Sequence, residues 1–78
     1  MSKLPALSSE EVIGALRRAG FRYAPKRGKG SHSAFVGTDR AGRMRLVIVR
    51  KRRTVPAGTL LSILEQAGLS RDEFLDLL

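Results

Sequence analysis

One histidine, His32, is present in the whole chain, and it follows directly on a glycine-rich cationic stretch, Lys26-Arg27-Gly28-Lys29-Gly30-Ser31. An imidazole holds or releases a proton near neutral pH at little cost, and a well-placed one contributes about 10²–10⁴ in rate to a proton-transfer reaction. Lysine and arginine beside it attract phosphates, and a guanidinium can grip two oxygens of the same group. RNA brings its own nucleophile, the 2′-hydroxyl. Cutting it therefore requires proton removal, compensation of the charge that builds on phosphorus, and a proton for the departing 5′-oxygen. One imidazole among several cations covers most of that list.

The residues that fit these roles are His32 as the proton-transfer group and Lys26, Arg27 and Lys29 at the phosphates, with Gly30 and Ser31 as its immediate neighbours. The cationic run Arg50-Lys51-Arg52-Arg53 follows an apolar strand, so at least two of its side chains face solvent and can track a nucleic-acid backbone. Gly58-Thr59, near a helix start, could offer N–H groups to an anion, although capping and packing explain it as well. A lone strand histidine is ordinarily a bystander and a lone basic run ordinarily solvated surface; the clustering of the two is what selects them here.

Other chemistries fail on parts. A hydrolase triad from Ser31, His32 and Asp39 is excluded because adjacent strand residues point to opposite faces. Zinc and two-metal sites need clustered ligands the sequence does not supply, so no metal is expected. Gly28-Lys29-Gly30 does not continue into a dinucleotide fingerprint and opens a strand rather than a helix, so no cofactor is expected either. Cysteine is absent, which removes disulfides and thiol nucleophiles and fits a reducing cytoplasm. The aromatic residues are Phe21, Tyr23, Phe35 and Phe74, too few for an extended base-stacking platform.

The charge balance points the same way. Fifteen Lys and Arg against seven Asp and Glu leave a formal net charge of +8 in 78 residues, a surface that draws polyanions. With 42% hydrophobic and 28% charged residues the composition is that of a folded globular protein. The length suits one domain, residues 1–78, with a thin core. Leu46 to Val49 is the longest apolar run and Met1 to Leu7 is short for a signal peptide, so the expected protein is soluble, cytoplasmic and makes no use of a membrane.

These residues must be held by a small α+β frame. Ser8-Ser9-Glu10-Glu11 reads as a capping box, followed at helical spacing by Val12, Ile13, Leu16 and Ala19 before a stop at Gly20. Phe21 to Ala24 alternates as a strand that Pro25 closes, and Lys26 to Gly30 suits a hairpin tip. Ser31 to Val36 and Met44 to Val49 read as two further strands around a turn at Gly37 to Gly42. Pro56 suits a first helical turn, Leu60, Ile63, Leu64 and Ala67 line one face as far as Gly68, and a second capping box at Ser70 to Glu73 opens a short third helix. The sum is a helix, a three-stranded antiparallel sheet, a helix and a short C-terminal helix, with the helices on one face.

Three segments, Ala19-Gly20-Phe21, Gly30-Ser31-His32 and Gly58-Thr59-Leu60 through Gln66-Ala67-Gly68, together resemble the HicA toxin family, and the match extends over nearly the whole chain. The resemblance implies a fold like that of double-stranded-RNA-binding domains, a ribosome-independent mRNA interferase activity that cleaves RNA as a metal-independent endoribonuclease and inhibits growth, and silencing by a HicB-like antitoxin. By position, the family's catalytic histidine falls on His32. Where the family often has a second histidine this chain has Ser33, and where some members carry another after the third strand it has the run Arg50 to Arg53. The competing expectations are a non-catalytic RNA-binding module of the same fold and an interaction protein whose charge serves an acidic partner.

Overall fold

The computed structural model describes residues 4–78, so the first three residues of the stretch Met1 to Leu7 lie outside it. Its elements are α1 (Ser9–Arg18), β1 (Arg22–Tyr23), a 3₁₀ turn (Pro25–Arg27), β2 (His32–Thr38), β3 (Met44–Arg50), α2 (Ala57–Ala67) and α3 (Arg71–Asp76). The strands form one antiparallel sheet in the order β1-β2-β3. The architecture is a small α+β fold consistent with that of double-stranded-RNA-binding domains. Among the described residues no helix is long and apolar enough to cross a membrane.

Local chemistry sets the helix ends. Ser8 Oγ accepts from Glu11 N–H at 3.1 Å while Ser8 N–H donates to the Glu11 carboxylate at 3.0 Å, and Ser70 and Glu73 repeat the arrangement at α3. Both capping boxes thus satisfy donors that a helix start leaves unpaired. Arg18 donates to the Leu77 carbonyl at 2.9 Å, tying the end of α1 to the end of α3.

The alternation of β2 and β3 decides where the core lies. Phe35, Val47 and Val49 face the helices and pack with Val12, Ala15 and Leu16 of α1, with Leu60, Ile63, Leu64 and Ala67 of α2, and with Phe74 of α3. Leu7 and Val55, joined by an isolated bridge, close the core's edge. The opposite face carries His32, Ala34, Val36 and Thr38 from β2 and Met44, Leu46, Ile48 and Arg50 from β3. Met44 on that face is 75% exposed, as befits a sheet whose helices all sit on the other side.

Expected strand boundaries move, β3 by one residue so that it ends at Arg50. The first strand shrinks to Arg22–Tyr23, with one more ladder bond from Ala24 N–H to the Ala34 carbonyl, because at Pro25, whose ring fixes φ, the chain winds into the 3₁₀ turn, closed by Arg27 N–H donating to the Ala24 carbonyl. The second strand starts at His32, not Ser31, and runs through Gly37 to Thr38, past the expected turn. Gly37 belongs in the strand because the Phe21 ring lies across it, and a Cβ there would stand 2.8 Å from ring carbons.

Asp39 organises the turn between β2 and β3. Its Oδ1 accepts from Ala41 and Arg43 N–H, both at 2.9 Å, and its Oδ2 from Arg45 Nε at 2.8 Å. The Arg43 N–H, then the Arg45 guanidinium, hold the Asp39 carboxyl below the usual carboxylate range. A depressed native pKa gives stability that is complete above the ordinary carboxylate range and is lost as pH falls through the lowered value. Asp39→Asn is expected to lower the melting temperature at pH 7 and to flatten the acid limb of stability below about pH 4. Thermal melts of both proteins between pH 2 and 7 check this, and parallel acid limbs would refute it.

Candidate functional site

His32 is the first residue of β2, exposed on the helix-free face, and its register partner is Arg50, the last residue of β3. Just beyond this pair, Lys51 N–H donates to the Ser31 carbonyl at 3.1 Å. A ladder bond flanking the pair in this way makes it a non-hydrogen-bonded one, in which Cα atoms stand only about 4.5 Å apart and side chains rise together on one face. The imidazole and the guanidinium therefore share the same end of the sheet.

The chain leading into His32 is built tightly. His32 N–H donates to the Lys29 carbonyl at 3.0 Å, closing a turn through Gly30 (φ 59°) and Ser31. Lys26 and Arg27 lie on the 3₁₀ turn, a correction to the hairpin tip expected there: fixed at Pro25, the chain winds once and then returns alongside β2. Gly28 makes that return possible, since a Cβ at this position would stand 2.5 Å from the His32 carbonyl oxygen and 3.0 Å from Ala34 N. Lys26, Arg27, Lys29, Gly30 and Ser31 are all exposed.

The run Arg50 to Arg53 is divided by the fold. Arg50 shares the face of His32, whereas Lys51, Arg52 and Arg53 leave the sheet and line a depression with Ser8, Ser9 and Glu10 at the start of α1. Ser9 holds the run in place. Its N–H and hydroxyl both bond the Arg52 carbonyl at 3.0 Å, and its oxygen accepts from Arg52 N–H at 3.0 Å. The sequence reads Ser9 only as part of a capping box, because a contact spanning 43 residues leaves no local signature. Arg22, paired with Val36, adds a further exposed cation to the helix-free face.

Arg40 and Arg45 are held in ion pairs elsewhere, Arg40 with Glu73 at 2.8 Å and Arg45 with Asp39 at 2.8 Å. Both lie toward the far end of β2 and β3 from His32. Tyr23 is 55% exposed but leans its ring on Phe35, with centroids 5.7 Å apart. Gly58 and Thr59 fall within the first turn of α2, after Pro56 as the capping residue. Among the described residues no three of His, Cys, Asp and Glu come together as a metal ligand set would.

Residues 9–69 match the family model described as the HicA toxin of bacterial toxin-antitoxin. No curated protein matches the chain.

Because the atoms facing Gly28 are backbone, they cannot swing aside for a side chain. Gly28→Ala is expected to push the basic loop off β2 at a cost of about 1–3 kcal/mol. For a domain of this size that lowers the melting temperature by roughly 4–8 °C per kcal/mol, which calorimetry will read. A melting temperature equal to that of the wild type would mean the loop does not rest on the strand.

Proposed function

The chain belongs to the HicA toxin family, the toxin side of a toxin-antitoxin system, and from that premise we propose that it is a metal-independent endoribonuclease, an mRNA interferase, whose single histidine cleaves RNA. Membership implies an RNA substrate and a cognate antitoxin. The observation that carries the catalytic reading is an exposed His32 at the end of a strand, entered through a cationic loop and bordered by Arg50.

In this reading His32 takes the proton of a 2′-hydroxyl, the freed oxygen attacks the adjacent phosphorus, and the P–O5′ bond breaks. The departing oxygen takes up a proton, leaving a 2′,3′-cyclic phosphate and a 5′-hydroxyl end. Lys26, Arg27 and Lys29 meet the phosphates entering over the loop, with Gly30 and Ser31 allowing close approach; Arg50 meets RNA beside His32, and Lys51, Arg52 and Arg53 hold it on the other side. The antitoxin is taken to be HicB-like, and the setting cytoplasmic, where mRNA is found.

Exposure of His32 has a practical consequence: His32→Ala removes the imidazole without opening the core. Purified wild type is expected to cut a short oligoribonucleotide, and His32→Ala to cut it about 10²–10⁴ times more slowly at an unchanged melting temperature. An oligonucleotide with 2′-deoxyribose at the cleaved position should survive, and equal cutting of that substrate would rule out the 2′-hydroxyl route. Wild-type protein that binds RNA and leaves it intact would instead identify a non-catalytic RNA-binding module.

A further inference from the structure

We propose that Arg50 is a second catalytic residue, contacting the phosphate that His32 cleaves rather than flanking RNA; the assignment rests on the nuclease reading above. Four observations converge on it. Arg50 is the register partner of His32, and the bond from Lys51 N–H to the Ser31 carbonyl makes theirs a close, non-hydrogen-bonded pair with both side chains on the helix-free face. Arg50 is exposed, and among the described residues its guanidinium forms no ion pair, unlike those of Arg40 and Arg45. The strand alternation sends the next residue, Lys51, to the other side, toward the depression at the start of α1. Finally, the chain has no second imidazole to share the work.

These facts divide the labour of the reaction. Attack by the 2′-oxygen forms the O2′–P bond and leaves a phosphorane carrying one more negative charge than the diester. His32, now protonated by the 2′-hydroxyl, returns that same proton to the 5′-oxygen as the P–O5′ bond breaks, so one ring serves both transfers and no outside reagent is consumed. The charge that accumulates between the two transfers falls on the non-bridging oxygens. A planar guanidinium rising beside the imidazole can donate to both of them at once, which a lysine's point charge cannot do equally well. Fixed donors aimed at developing charge act on the transition state and hence on turnover more than on binding.

Lys51 is the internal comparison, since it carries the same charge one residue further along but on the wrong face. Steady-state cleavage of an oligoribonucleotide should be measured for wild type, Arg50→Ala, Arg50→Lys and Lys51→Ala, with thermal melts to verify folding. Arg50→Ala is expected to lose about 10²–10³ in kcat with KM altered little, Arg50→Lys to recover part of the loss, and added guanidinium ion to restore Arg50→Ala but not His32→Ala. Lys51→Ala should chiefly raise KM and reduce the salt dependence. If wild type cleaves while Arg50→Ala behaves like Lys51→Ala, Arg50 holds flanking RNA and this proposal is wrong while the nuclease reading stands. If wild type leaves the RNA intact, both fall together.

Discussion

The register of the β2–β3 hairpin is the constraint on which everything else rests. Seven consecutive pairs, from Thr38↔Met44 at the turn to His32↔Arg50 at the open end, alternate between the core face and the helix-free face. Sliding one strand by a single residue would carry Phe35 or Val47 and Val49 out of the core and turn His32 away from Arg50. Two agents fix the register. Burial of Phe35, Val47 and Val49 against α1 and α2 selects the face, and the three bonds to the Asp39 carboxylate select the turn length. A carboxylate at one end of the hairpin thereby decides what stands beside the histidine at the other.

Much of this was legible in the residues themselves. Both capping boxes, the left-handed glycine after α2 and the β-branched run of β3 are local signals, and the elements form where those signals stand. The fold class and the placing of His32 on a strand after a basic loop follow from them. What stayed hidden is non-local. Gly37 looks like turn material until the Phe21 ring is laid across it, and Gly28 looks merely flexible until β2 passes under it. The basic run 50–53 looks uniform in sequence, yet the end of β3 and the Ser9–Arg52 bonds split it between two surfaces. One further relation was readable in principle: once the turn is placed at Asp39 to Gly42, counting outward along both strands brings His32 opposite Arg50.

Charge is sorted by the same geometry. Carboxylates gather where the sheet meets α3, and there Asp39 and Glu73 occupy Arg45 and Arg40. Glu73 is held below the usual carboxylate range by the Ser70 N–H and hydroxyl, with Arg40 adding to the effect, so it remains charged for that partner. The loop before His32 and the end of β3 carry no such carboxylates in their sequence, from Pro25 to Ala34 and from Leu46 to Ala57. The excess of +8 is thus concentrated at the end of the molecule that presents the imidazole.

A site at the very end of a hairpin invites fraying, since terminal pairs have neighbours on one side only. Here the terminal pair is continued on both strands. Lys51 N–H bonds Ser31, His32 N–H bonds Lys29, and Gly28 rests on the backbone of β2, while Ser9 clamps Arg52 and the Leu7–Val55 bridge ties down the segment beyond. This matters because RNA supplies its own nucleophile, so the protein need not build a deep pocket or a hydrogen-bonded triad. The proposed cleavage asks for two groups, one that moves a proton and one that meets charge, held at a fixed spacing in the open where a long polyanion can reach them. A tethered strand end provides that spacing with very little core, so the proposed chemistry asks little of a chain of 78 residues beyond a well-anchored hairpin.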